Sequence, residues 1–267
     1  MARYSRYVAI GDSQTEGLWD GDDSTGLLGF ADRLASMIES PHAGLAYANL
    51  AVRGRRIRDL LDEQLPQALA MRPDLITVCI GMNDVTRPGP YFGEALRELD
   101  ELHTRLAASG ATVVTTTFPD VARILPVGRV IAPRIEQIND EIRTAARRHG
   151  FRLVDLFTAP SMTHPATWSP DRVHGSARGH ALFAAAAAEA LGLPGSNHDW
   201  AHLHDPPRRT SLGSLAYSQA LWTQNMLLPW LWRTARRRSA GDDRGPKRPR
   251  LERLPAYMPR NGNGIGD

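Results

Sequence analysis

Apolar runs of strand length recur along the chain, and between them the apolar positions spread to a spacing of three and four. The runs predict strands over residues 7–10, 46–50, 75–80, 112–116 and 152–155. The segments between predict helices over 29–38, 57–69, 91–108, 130–148 and 177–191. Leu96, Leu99, Leu102 and Leu106 show the helical period plainly. Short apolar strands alternating with amphipathic helices point to an α/β fold, a parallel sheet covered on both faces. In such sheets the functional crevice lies beyond the carboxyl ends of the strands. A motif that directly follows a strand therefore carries more weight than one elsewhere.

The alternation stops near residue 193. Residues 194–211 read as a Pro-punctuated linker wrapping the body, and 212–235 as an apolar helix carrying Trp222, Trp230 and Trp232. Residues 236–267 read as a basic, Pro- and Gly-containing tail without regular structure. The expected organisation is one α/β body over 1–193 plus these three pieces, which 267 residues accommodate.

Composition changes this picture in three places. One cysteine, Cys79, excludes an intrachain disulfide and a cysteine-rich metal site, and its place mid-strand reads as a small buried side chain. The basic residues are almost all arginine, with a single lysine at Lys247, a bias attributed to genome composition. From residue 233 to 267 there are ten basic and four acidic residues, a net of +6, so residues 1–232 carry −3 of the chain's +3. The positive charge belongs to the tail, and nucleic acid is not an expected partner. The first residues run into strand one without a positive-then-apolar leader, and no apolar stretch reaches the ~20 residues of a membrane span. A cytoplasmic protein is the expectation.

Four stretches could carry chemistry. Gly11-Asp12-Ser13 follows strand one, Ala51-Val52-Arg53-Gly54 follows strand two, and Gly81-Met82-Asn83-Asp84 follows strand three. Ser169-Pro170-Asp171-Arg172-Val173-His174 precedes the last helix of the body. Taken alone, Ser13 reads as a helix cap, a phosphate contact or a nucleophile. Acyl transfer needs a hydroxyl, a base that takes its proton, a carboxylate that fixes the tautomer of the base, and donors for the developing oxyanion. Ser13, His174 and Asp171 supply the first three. The N–H groups of Ser13 and Gly54 and the side-chain amide of Asn83 could supply the donors.

In order and spacing, GDSQTEG, the glycine of NLAVRG, GMND and DRVH resemble the four blocks of the SGNH, or GDSL-type, hydrolase superfamily, over about residues 5–192. The stretch GFADRLA is similar to esterase-like members from actinobacteria. The resemblance implies a three-layer α/β/α sandwich on a flavodoxin-like five-stranded parallel sheet, extended here at the C-terminus. It implies Ser13 as nucleophile, Asp171 and His174 as its partners, and Ser13, Gly54 and Asn83 as the oxyanion hole. It requires no cofactor and no metal. Gly175 stands where proline is common after the histidine, and Met82 fills the variable position of its block.

Other readings are weaker. Asp12 and Asp84 read as hydrogen-bonding groups of their loops, with Asp84 as an acid or base the lesser alternative, and Asn49 likewise. His198, His202 and His204 match no strict ligand spacing. Gly11 and Gly81 open no phosphate-loop motif. The expected activity is hydrolysis of small or short-acyl esters. The alternatives are a lysophospholipase or thioesterase taking long acyl chains at a membrane, and a non-catalytic interaction protein on the same fold. The substrate is expected to be a small or lipid-like ester. The C-terminal helix is expected to contact the body or a second subunit, with a membrane surface as the other reading. Loops 19–28, 86–92, 118–129 and 157–168 are expected to wall the pocket.

Overall fold

The computed structural model describes residues 4–39, 44–124, 128–203 and 241–254, with isolated positions between 213 and 232. The helix expected over 212–235 lies outside the described residues apart from those positions.

Five parallel strands form where the apolar runs lie: β1 (Arg6–Gly11), β2 (Ala46–Asn49), β3 (Leu75–Cys79), β4 (Thr112–Thr116) and β5 (Arg152–Val154). They pair in the order β5-β4-β3-β1-β2. That is the flavodoxin-like order, with the switch point at β1.

Successive side chains of a strand point to opposite faces, and the two faces bury different helices. Val8 and Ile10 of β1 and Ile76 and Val78 of β3 share one core with α3 (residues 57–70), α5 (Phe92–Ala107) and α6 (Gly128–His149). Tyr7, Ala9 and Tyr47 share the other with α2 (Phe30–Glu39) and α7 (Ala177–Ala190). Helix α3 is α-helical over Ile57–Asp59, π-helical over Leu60–Gln64 and α-helical again over Leu65–Ala70. Its π turn presents buried Gln64 to Gly11, whose N–H donates to Oε1 and whose carbonyl accepts from Nε2, both at 2.9 Å. The last residue of β1 is thereby satisfied where the sheet ends.

The reading of 236–267 as irregular is corrected over one stretch. Arg248–Arg253 forms a sixth strand, β6, antiparallel to β2 at the sheet edge. Pro249 is tolerated because an edge strand has one side free of ladder bonds. Four of its six side chains are exposed, so no apolar alternation advertises it. Within 194–203, His198–Ala201 forms a 3₁₀ turn that buries Trp200 against α7, with its indole N–H donating to Glu189. Among the described residues no helix is long and apolar enough to cross a membrane.

Candidate active site

Ser13 begins the four-residue helix α1 (Ser13–Glu16) directly after β1. Asp12 caps that helix, accepting from the Gln14 N–H at 3.2 Å, and Gly17 ends it in a left-handed conformation. As the first residue of the helix, Ser13 has no i−4 carbonyl within it for its own N–H. Asn49 at the end of β2 donates to the Thr15 carbonyl at 2.9 Å, which pins α1 to the sheet.

Asp171 and His174 occupy a tight loop closed by Ser169 N–H to the His174 carbonyl at 2.9 Å, with Arg172 at a left-handed φ of 58°. The Oδ1 atom of Asp171 accepts from Ser169 Oγ at 2.7 Å, Val173 N–H at 2.8 Å and His174 N–H at 2.9 Å. Its Oδ2 atom faces His174 Nδ1 at 2.7 Å and accepts from Trp19 Nε1 at 2.6 Å. Burial would raise this carboxyl, but the hydrogen bond and charge of His174, with the other donors, hold it well below the usual carboxylate range. An ionised carboxylate only accepts, so Nδ1 carries the imidazole proton. Nε2 is then left as an acceptor, and Ser13 Oγ lies 2.7 Å from it. The structure thus brings Ser13, His174 and Asp171 into one chain of hydrogen bonds across 161 residues of sequence.

The other two expected residues flank this chain. Gly54 follows β2 with φ 79°, a backbone that favours glycine. Arg53 before it donates from its N–H and guanidinium to Glu16 of α1 at 2.7–3.2 Å. Asn83 lies in helix α4 (Met82–Val85) after β3. Its amide donates to the Arg55 carbonyl at 2.9 Å and to Asp12 Oδ2 at 3.2 Å. The loops after β1, β2 and β3 are therefore laced together at the switch point. Asp84 adds a further tie by accepting from the Ile57 N–H at 3.2 Å.

A cavity of about 230 Å³ opens beside Ser13, with Asn83 and His174 also on its wall. The rest of its lining is mainly apolar, with Phe118, Val121, Ile124, Leu156 and Phe183 among it. Gly54 and Asp171 are not part of its lining. Cys79 also lines the cavity, its thiol pushed up to about 12 by burial. Histidines 198 and 202 are elsewhere; His198 pairs with Glu189 at 3.0 Å.

Three residues here were not singled out for these contacts by the sequence. Trp19 reaches Asp171 from a loop 152 positions away, at φ 72°. His180 of α7 holds that loop, its Nε2–H facing the Leu18 carbonyl at 3.0 Å while Nδ1 accepts the Phe30 N–H at 3.2 Å. Burial pushes His180 down to about 4, so it stays neutral and keeps both bonds. Gln14 accepts the Gly175 N–H at 3.2 Å, a donor that proline at that position would lack.

The buried acids set a pH dependence of stability. Burial pushes Asp84 up from 3.8 to about 7, against the lowering effect of the Ile57 N–H, and pushes Asp12 up to about 6. The folded state then holds protons that the unfolded chain has released, so this stability is present below about pH 4 and lost as pH rises toward 7. Asn at position 84 keeps an acceptor for Ile57 without the charge. Asp84→Asn is expected to gain melting temperature on the wild type between about pH 4.5 and pH 8. A difference that stays constant across melts at those two pH values would contradict it.

Comparison with known proteins gives a consistent family signal. A family model described as the GDSL-like Lipase/Acylhydrolase family matches residues 9–182. The chain is 26% identical over 210 residues to an acetylxylan esterase of Geobacillus stearothermophilus, covering 70% of this chain and 94% of that protein. Among solved structures it is similar to an alpha/beta hydrolase enzyme from the metagenome of Lake Arreo, Spain, at 26% identity and TM-score 0.61, covering 72% and 97% of the two chains. It also matches the crystal structure of the Geobacillus stearothermophilus acetylxylan esterase at TM-score 0.60 and 21% identity, covering 75% and 98%, a likeness of fold.

Proposed function

The chain belongs to the GDSL-like lipase/acylhydrolase family and is a carboxylic ester hydrolase, and from that premise we propose that Ser13, His174 and Asp171 are its catalytic triad. The observation that carries this is the pair of 2.7 Å contacts joining Ser13 Oγ to His174 and His174 to Asp171. Ser13 Oγ attacks the ester carbonyl as His174 Nε2 takes its proton, and Asp171 stabilises the imidazolium that forms. The tetrahedral oxyanion sits among the N–H groups of Ser13 and Gly54 and the Asn83 amide, each worth roughly 3–4 kcal/mol to the transition state. Asn83 makes room by exchanging its contact to Asp12, the longer of its two at 3.2 Å. His174 returns the proton to the leaving alcohol, and water then cleaves the acyl-enzyme by the same steps.

The cavity bears on the substrate. An apolar cavity of about 150 Å³ admits benzene, and the one beside Ser13 is about 230 Å³. An acyl group of roughly six to eight carbons fits that space, larger than the acetyl group in the name of the curated relative. This extends the expected short-acyl range upward and remains below a long lipid chain. On p-nitrophenyl esters from acetate to laurate, kcat/KM is expected to peak at hexanoate or octanoate. A peak at acetate would remove the cavity from the acyl site, and no turnover of any member would sink the hydrolase reading of the triad.

A further inference from the structure

A trans peptide points its C=O and N–H in opposite directions, so whatever holds the Arg53 carbonyl aims the Gly54 N–H. That carbonyl packs against a residue from the far end of the chain. Gly241 is buried against it: an ideal Cβ on Gly241 would lie 2.1 Å from Arg53 O and 2.9 Å from Val52 Cγ1. Gly241 has no positive φ, so its glycine answers to space and not to backbone angle.

The same segment grips the surroundings of the turn. Arg244 donates to both carboxylate oxygens of Asp23, at 2.7 and 3.1 Å. Asp23 also accepts from Arg53 Nη2 at 3.0 Å. The Arg53 guanidinium in turn pairs with Glu16, three residues beyond Ser13 in α1, at 2.8 Å. Lys247 donates to Asp32 at 2.6 Å and to the Leu27 carbonyl at 2.9 Å. The segment then enters β6 and runs along β2, the strand that leads into the turn. Residues 241–254, which make these contacts, lie beyond residue 182, where the family match ends.

We propose that residues 241–254 clamp the catalytic turn, with Gly241 and Arg53 as positioning residues that fix the direction of the Gly54 N–H. This rests on the reading of that N–H as an oxyanion donor. A misdirected donor weakens the transition state while leaving the acyl cavity untouched, so kcat falls and KM does not.

Gly241→Ala in the full chain is the test, with Gly245→Ala as its partner because an ideal Cβ at 245 meets nothing within 4 Å. On p-nitrophenyl hexanoate, kcat of Gly241→Ala is expected to drop about tenfold or more, with KM within about twofold, while Gly245→Ala matches the wild type. Inhibition by an alkyl boronic acid, which forms a tetrahedral adduct, should weaken by the same factor as kcat/KM. Asp23→Asn serves as a second variant on the exposed side, with about a threefold loss of kcat expected at unchanged melting temperature. Unchanged kcat in both variants overturns the clamp, as does a loss of melting temperature with full kcat in the folded fraction. Wild-type turnover in the same assay keeps the triad reading separate: if it is present while Gly241→Ala is indifferent, only the clamp fails.

Discussion

Ser13→Ala is expected to lower kcat by roughly 10⁵- to 10⁶-fold, the scale on which a serine nucleophile contributes when its base and oxyanion donors act with it as a unit. The fold should survive. Ser13 Oγ is hydrogen-bonded to His174, and such a bond contributes about 1 kcal/mol to stability. In a domain of this size that is a melting shift of about 2–4 °C. Burial of the remaining Cβ is unchanged, and alanine is at ease in the first turn of a helix. The variant should also lose covalent labelling by a fluorophosphonate probe, read as the absence of the mass-shifted Ser13 peptide. Activity within tenfold of wild type would falsify the nucleophile assignment.

Asp171→Asn is expected to cost about 10⁴-fold in kcat, for a reason specific to this loop. An asparagine there must choose which end carries its NH₂. The Oδ1 side faces the Val173 and His174 N–H groups, two fixed backbone donors, and the Ser169 hydroxyl. The carbonyl oxygen therefore stays on that side, and the NH₂ turns toward His174 Nδ1 and the Trp19 indole N–H. His174 can meet an NH₂ only by presenting a lone pair at Nδ1, which moves its proton to Nε2. The imidazole then confronts Ser13 Oγ with a donor and cannot take its proton. Trp19 loses its acceptor as well. Steady-state kinetics with KM near the wild-type value would match this account; a loss smaller than about tenfold would mean that Asp171 does not set the tautomer.

Much of the architecture could be read from the chain because parallel strands buried on both faces appear as plain apolar runs. The five expected strands and five helices form within a residue or two of their expected limits. The parts that could not be read share a physical cause. Strand β6 is an edge strand of Pro249 and mostly exposed charges, so burial imposes no pattern on it. The π turn of α3 leaves no mark on hydrophobic spacing, since Leu60, Leu61 and Leu65 are buried as they would be in an ordinary helix. Trp19 meets Asp171, and Glu16 meets Arg53, through side chains 152 and 37 positions apart. Such pairs are fixed by tertiary placement and have no local signature. The residues of the candidate site were legible for the opposite reason. Each stands in a short motif after a strand or in one tight loop, where sequence neighbours are also neighbours in space.

The sheet order has a consequence for how the protein is made. Strand β1 is synthesised first and lies at the centre, while the edge of β2 stays bare until residues 248–253 have left the ribosome. Until then the nascent chain carries an uncovered parallel edge, which is an invitation to pair with another nascent chain. The strand that finally covers it carries Pro249 and the exposed charges of Arg250, Glu252 and Arg253, which discourage pairing with any further strand. Translation that stops after the body has been built would therefore leave a chain prone to associate, and release of this strand would both end that risk and bring residues 241–247 against the turn that follows β2.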